Sequence, residues 1–289
     1  MKELCDLARM AEKYAAETGV VPDIHLDDFI FRFLIENRSF DSLDSAVRYY
    51  FVDGRESARK LSGLLDDFGI QQRAHDFSML EFASGYGCVS RHLTSQFERQ
   101  AVVACDIHEE GVRFLRSRIG IKAILSCSNP ADFKIDRSFD VVFALSFFSH
   151  MPRQTWAQWV AALYEIVRPG GVLLFTTHGQ KSARFFGDPE IADDGFWFMA
   201  DSEQKDLDRS EYGQTIVTEE FVRREILAVT GREPDLFREG IWWGHQDLYA
   251  VKRGSDAGTR DVVGDGSSTV GRAAVELSIA AGVSATKER

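Results

Sequence analysis

Residues 79–93 read MLEFASGYGCVSRHL, and this stretch decides how the rest of the chain is interpreted. A short apolar run (Met79, Leu80, Phe82) stops at Ala83, Ser84, Gly85 and Gly87, after which Val89 and Leu93 fall on one helical face. Strand, tight glycine turn and helix, in that order, form the unit with which α/β proteins bring a ligand against backbone amides at a helix N-terminus. What has to be settled is the ligand.

Working outward, the texture after Met79 alternates between strands and helices. Strands are expected at 78–83, 101–106, 121–126, 139–145 and 171–178, with helices at 87–97, 109–118 and 153–168 between them. Pro169-Gly170-Gly171 stops the helix before the fifth strand. Residues 180–217 are polar and aromatic without a clear period and read as an excursion. A helix at 218–230 and strands near 234–241 and 246–252 follow. The fold class predicted is α/β: a Rossmann-like, doubly wound, seven-stranded sheet, mostly parallel with an antiparallel last strand. Residues 1–76 carry helical spacing throughout, with a stripe of Leu4, Leu7, Ala11 and Tyr14, apolar clusters at 29–34 and 46–51, and a fourth helix at 56–68. They are expected to form a helical cap or lid on a domain spanning 77–253. Residues 254–289 have no aromatic residue and many Gly, Ser and Thr, and are expected to be a disordered tail with a short helix near 272–281.

Composition narrows the class. The chain has 289 residues, 44% of them hydrophobic, enough for one substantial α/β core. A net charge of −11 argues against a nucleic-acid backbone as partner. The N-terminus is charged without an apolar leader core, and no run reaches the length of a membrane span. Cys5, Cys88, Cys105 and Cys127 show neither C-x-x-C spacing nor a paired framework, as in a reduced compartment. A cytoplasmic protein with no membrane, nucleic-acid or metal partner is therefore expected; its oligomeric state is not legible.

Dinucleotides and S-adenosylmethionine both use a turn of this kind. A dinucleotide fingerprint asks for G-x-G-x-x-G, and here Ser90 occupies the third glycine position. Glu81, four residues before Gly85, discriminates better: an acid beside the turn suits a cationic amino group and repels a pyrophosphate. Asp106 closes the second strand and can accept hydrogen bonds from both ribose hydroxyls, which either cofactor requires. Its alternative role is to cap the helix beginning near Glu109, and Glu81 could be a strand-end surface acid. Both acids flanking one glycine turn favour S-adenosylmethionine.

The segments LEFASGYG, VVACDIHEEGV, FDVVFALSFFSHMP and LYEIVRPGGVLLFTTHG resemble, in order and spacing, successive motifs of class I S-adenosylmethionine-dependent methyltransferases. The resemblance spans residues 79–180 and runs more loosely to 253, with Ala83 where the family's pattern has glycine. TTHG, Tyr212-Gly213 and WWGHQD bring it nearest to bacterial members that accompany surface-polysaccharide or secondary-metabolite assembly. It implies that Glu81, Ala83, Gly85 and Gly87 hold the methionine portion and that Asp106 takes the ribose. Ile107 would pack on adenine, Ser128 or Asn129 would reach the adenine amino group, and Ser146 would line the boundary with the acceptor. The acceptor implied is a small hydroxylated molecule such as a sugar.

An alcohol acceptor benefits from a base, and histidine titrates closest to neutrality. Three of the seven histidines, His150, His178 and His245, fall near strand ends where this fold places ligands; each could instead bond a backbone carbonyl. The other four, His108 among them, read as surface or packing residues. Tyr50 is a candidate for reaching the site from the cap, and Tyr212, Trp242 and Trp243 for an acceptor wall, although core packing accounts equally well for the tryptophans and Tyr50. The alternative function is a non-catalytic S-adenosylmethionine-binding regulatory or partner subunit.

Overall fold

The structure is a computed structural model of the chain, and it describes residues 2–36, 40–202, 204 and 206–254. The expected tail lies outside the described residues.

Three helices come first: α1 (Lys2–Thr18), α2 (Phe29–Glu36) and α3 (Leu43–Asp67). Then follow β1 (Met79–Phe82), α4 (Ser90–Gln96), β2 (Val102–Asp106), α5 (Glu109–Phe114), β3 (Lys122–Leu125), β4 (Phe139–Ala144), α6 (Arg153–Glu165) and β5 (Val167–His178). A small antiparallel hairpin, β6 (Phe196–Met199) with β7 (Gln214–Val217), fills part of the expected excursion. The chain closes with α7 (Glu219–Thr230), β8 (Leu236–Trp242) and β9 (Gln246–Lys252). The main sheet has seven strands in the order β3-β2-β1-β4-β5-β9-β8. The first five are parallel, and β9 runs antiparallel to both β5 and β8. This is the Rossmann-like sheet expected from the alternation of elements.

Every residue of β1 and β2 is buried, because helices cover both faces of a parallel sheet. Alternate side chains go to opposite layers. Leu80, Phe82, Val103, Val142, Leu173 and Phe175 pack with Trp156, Trp159 and Leu163 of α6 and Val222 of α7. Met79, Val102, Val141, Phe143, Val172 and Leu174 pack with Leu93 of α4 and with Ala58, Leu61 and Leu65 of α3. After β1 the chain crosses to β2 on one side, whereas β4 lies on the other, so the carboxyl ends of β1 and β4 open a crevice at the switch point.

One sequence expectation changes. The helices expected at 46–51 and 56–68 are one continuous 25-residue helix, α3. Gly54, inside this helix, is there for clearance: a Cβ on it would stand 2.3 Å from the Cys88 carbonyl oxygen and 2.8 Å from His92 Cδ2. α3 also takes part in two packing layers. Its N-terminal half is buried with α1 and α2 through Val47, Tyr50 and Phe51, and its C-terminal half belongs to the sheet's own core. Among the described residues, no helix is long and apolar enough to cross a membrane.

Gly54 therefore supplies a test of the contact between α3 and the turn. Gly54→Ala is expected to destabilise by about 1–3 kcal/mol through overpacking. Gly63→Ala, on the same helix with nothing within 4 Å of the added methyl, should stabilise by about 0.5–1 kcal/mol through helix propensity. Urea unfolding of both variants reads the pair; equal effects would remove the steric role of Gly54.

Candidate functional site

The turn after β1 is built from left-handed residues. Ala83 (φ 56°), Gly85 (φ 55°) and Gly87 (φ 83°) all have positive φ, which explains why glycine is usual where this chain has Ala83. The turn is pinned across the sheet: the Gly85 amide donates to Asp106 Oδ2 at 2.7 Å, and the Ser84 amide donates to the Cys105 carbonyl at 3.0 Å. The other oxygen of Asp106 accepts from the His108 amide at 3.0 Å and lies 2.8 Å from His108 Nδ1. Burial works to lower the His108 pKa, but the hydrogen bond and charge of Asp106, joined by Asp206, raise it overall.

Glu81, at the end of β1, is 3% exposed, and its Oε2 accepts from Ser90 Oγ at 2.5 Å. The residue that breaks the dinucleotide fingerprint is thus the partner of the acid. Burial, opposed by that hydrogen bond and reinforced by the Asp106 charge, pushes the Glu81 carboxyl up to about 8. A cation beside it would recover the charged form.

These groups face one cavity of about 200 Å³ in the crevice between β1 and β4. Glu81, Ala83, Gly85, Asp106, Ile107, Ser128, Ser146, His150, Tyr212 and Trp243 line it, together with the apolar Leu145, Phe147, Met151 and Trp159. Ser146, also at positive φ (58°), donates its amide to Thr176 Oγ1 at 2.7 Å and receives Gln246 Nε2 on its hydroxyl at 2.8 Å. His150 is buried; its Nδ1 lies 2.8 Å from the Gly213 carbonyl, and its ring stacks on Tyr212 with centroids 4.5 Å apart. A carbonyl can only accept, so Nδ1 carries hydrogen and the neutral ring keeps its lone pair on Nε2.

Six sequence candidates lie elsewhere. Gly87 serves the turn from behind, where an added Cβ would meet Leu115 Cδ2 at 2.7 Å. Asn129 caps the short 3-10 turn at 130–132 through its bonds to the Ala131 amide and Asp132. Trp242 is core, packed on Phe143 and donating Nε1 to Ser57 Oγ at 3.0 Å. Tyr50 is fully buried and bonded to Asp28. His178 stands behind His150, ring centroids 6.2 Å apart, and burial followed by the charges of His150 and His245 lowers its pKa to about 3. His245 pairs with Ser182 Oγ at 3.0 Å. None of these six lines the cavity.

The structure adds lining residues that the sequence reading passed over, above all His108, Asp28 and Asp53. His108 had a local signal, the D-x-H spacing that lets a carboxylate take the amide two residues on. Asp28 and Asp53 had none, because their place depends on how α2 and α3 pack.

Parts of the chain are similar to known proteins. Residues 80–173 match the family model of a methyltransferase domain. A malonyl-[acyl-carrier protein] O-methyltransferase 2 from Ilyobacter polytropus is 23% identical over 152 residues, covering 50% of this chain and 54% of that protein. The chain thus spans about half the length of the curated relative it matches. The crystal structure of Streptomyces venezuelae DesVI superposes with a TM-score of 0.52 at 17% identity, covering 80% of this chain and 99% of that one. An S-adenosylmethionine-dependent methyltransferase from Clostridium acetobutylicum gives 0.49 at 16% identity, covering 68% and 92%.

The buried acid makes a prediction about pH. Glu81 holds its proton in the folded state up to about pH 8, whereas an ordinary glutamate releases it near 4.5. The stability linked to that proton is complete below about pH 4.5 and is lost as pH rises through about 8. The melting temperature of the ligand-free protein should therefore fall across this window, and Glu81→Gln should flatten that part of the curve. An unchanged profile in the variant would assign the drift to other groups.

Proposed function

We propose that the chain, whose residues 80–173 match the model of a methyltransferase domain, uses S-adenosylmethionine as methyl donor and transfers its methyl group to a hydroxyl of a small molecule of the sugar or secondary-metabolite class. One observation carries the reading. Glu81, Asp106 and His150 face a single cavity at the switch point of the sheet.

The donor set fits the cofactor. Glu81 offers a buried carboxylate to its ammonium group, and Asp106 offers an acceptor to its ribose. The Gly85 turn lets both approach the backbone, and Ile107 and Ser128 flank the adenine. Bound there, the cofactor supplies a methyl group on cationic sulfur that is already electrophilic, so the protein's main task is alignment. His150 Nε2 takes the hydroxyl proton of the acceptor as the oxygen gains the methyl, and the Gly213 carbonyl holds the ring in the tautomer that can do so. Ser146, Tyr212 and Trp243 border the acceptor.

Charge supports a hydroxyl over a carboxylate acceptor. Among the described residues, no Lys or Arg lines the cavity, while Asp28, Asp53, Asp208 and Glu211 do. Beyond the cofactor's own cationic sulfur, a carboxylate would find no Lys or Arg there and several repulsive neighbours. Oxygen as the methylated atom is also supported by the curated relative, which is named an O-methyltransferase.

Isothermal titration with S-adenosylhomocysteine tests the cofactor reading, with NADH as the non-binding control. Asp106→Ala is expected to weaken S-adenosylhomocysteine by about 1.5–3 kcal/mol, the range for hydrogen bonds to a charged group. Tight NADH binding, or unchanged affinity in the variant, would sink the assignment. For the base, His150→Ala should bind S-adenosylhomocysteine as the wild type does while turnover against a small-molecule extract falls by about 10²-fold or more. Full turnover in that variant would mean that alignment alone drives the reaction.

A further inference from the structure

A buried polar chain links the glycine turn to the segment that forms the opposite wall of the cavity. Arg91, on the first turn of α4, is 1% exposed. Its Nε donates to the Gly87 carbonyl at 2.9 Å. Its Nη1 donates to the carbonyls of Val21 (3.2 Å) and Asp23 (2.7 Å), and its Nη2 donates to the Tyr50 hydroxyl at 3.2 Å. That hydroxyl donates onward to Asp28 Oδ2 at 2.6 Å, and Asp28 Oδ1 accepts the Phe31 amide at 3.0 Å, holding the first turn of α2. Tyr50 and Asp28 are 0% and 2% exposed. Asp28, Phe29 and Ile30 line the cavity.

Such a chain has no slack. The planar guanidinium reaches four separate oxygens at once, a pattern that lysine cannot reproduce. The phenol is the single bridge between the cation and the carboxylate, so removing its hydroxyl leaves a buried donor and a buried acceptor without each other. Three elements meet in it: α4, which starts at the turn; α3, which is anchored on the sheet; and the 21–30 segment, whose outer side is held as well by the Arg118–Asp23 ion pair at 2.7 Å and by His25 stacked on Tyr86.

We propose that Arg91, Tyr50 and Asp28 are positioning residues that latch the 21–30 segment over the cofactor, so that the turn which receives the cofactor also holds its cover shut. The inference rests on the cofactor reading above. It gives Tyr50 a role through Asp28 in place of the direct acceptor contact expected from sequence.

A matched control exists in the same helical layer. Tyr14, 2% exposed, donates to Asp44 Oδ2 at 2.5 Å, and neither residue lines the cavity. Tyr14→Phe therefore removes a tyrosine–carboxylate bond of the same kind, with its carboxylate half-buried, without touching the latch. Stopped-flow release of S-adenosylhomocysteine should be about tenfold faster or more in Tyr50→Phe, with association changed far less, and should stay within about twofold of wild type in Tyr14→Phe. Hydrogen exchange at the amides of residues 29–32 in the ligand-free protein should rise in Tyr50→Phe and not in Tyr14→Phe. Asp28→Asn, which cannot accept both bonds, serves as the second variant should Tyr50→Phe fail to fold. Unchanged release in the latch variants, or equal acceleration in the control, overturns the proposal. A wild type that does not bind S-adenosylhomocysteine defeats the cofactor reading instead, and the exchange data then still report whether the latch holds the segment.

Discussion

The hydrogen bond from the Gly85 amide to Asp106 Oδ2 is the contact on which the site depends. It joins the tip of β1 to the tip of β2 and, with the Ser84 amide on the Cys105 carbonyl, fixes a turn of left-handed residues. The same carboxylate receives the amide and ring of His108 on its second oxygen, so one side chain orients both the turn and the start of α5. A carboxylate has about four acceptor positions. Three are taken by these groups, which leaves Asp106 with acceptor capacity in a direction its neighbours have already fixed. Asp106 is thus a structural residue whatever it binds, although it holds His108 ahead of α5 without capping that helix.

Glu81 shows the complementary constraint. A carboxyl at 3% exposure, with one hydroxyl donor and a second acid nearby, is an uncomfortable anion. The chain tolerates this because the group can stay neutral until a cation arrives. A dinucleotide's pyrophosphate would make the same site worse, which is why the acid discriminates between cofactors more sharply than the count of glycines does. Ser90 completes the logic, since a third glycine there would leave Glu81 without its hydroxyl donor.

What could be read from sequence followed the range of the interaction. Strand alternation, the turn and the two acids are local patterns, and the sheet came out as expected. The lining of the cavity by Ile107, Ser128 and Ser146 follows from their being next to strand ends. Tyr50 and Trp242 were ambiguous because an aromatic residue near a site and one in the core have the same local sequence, and only packing separates them. The single helix α3 reads as two in the sequence because the apolar clusters at 46–51 and 56–68 face different partners, which only packing reveals. Asp28 and Asp53 approach the cavity only because the N-terminal helices pack where they do, and nothing within a few residues of either encodes that.

The course of α3 limits what in this protein can move as a cover. A lid that opens as a whole would have to carry α3 with it. Ala58, Leu61 and Leu65, all fully buried, pack against Met79, Val102 and Val141 of the sheet. Withdrawing them would expose the core of the same sheet that holds the site, at a cost of several kcal/mol for side chains of this size. The N-terminal half of the helix is continuous with that anchor and has no break at Gly54 to act as a hinge. Opening is therefore confined to what hangs from α3 through replaceable contacts. The 21–30 segment is such a part, held by its bonds to Arg91 and Tyr50 together with the Arg118–Asp23 ion pair and the stacking of His25 on Tyr86. A rigid wall on α3 and a hydrogen-bonded wall beside it give the cavity one fixed side and one side that can yield.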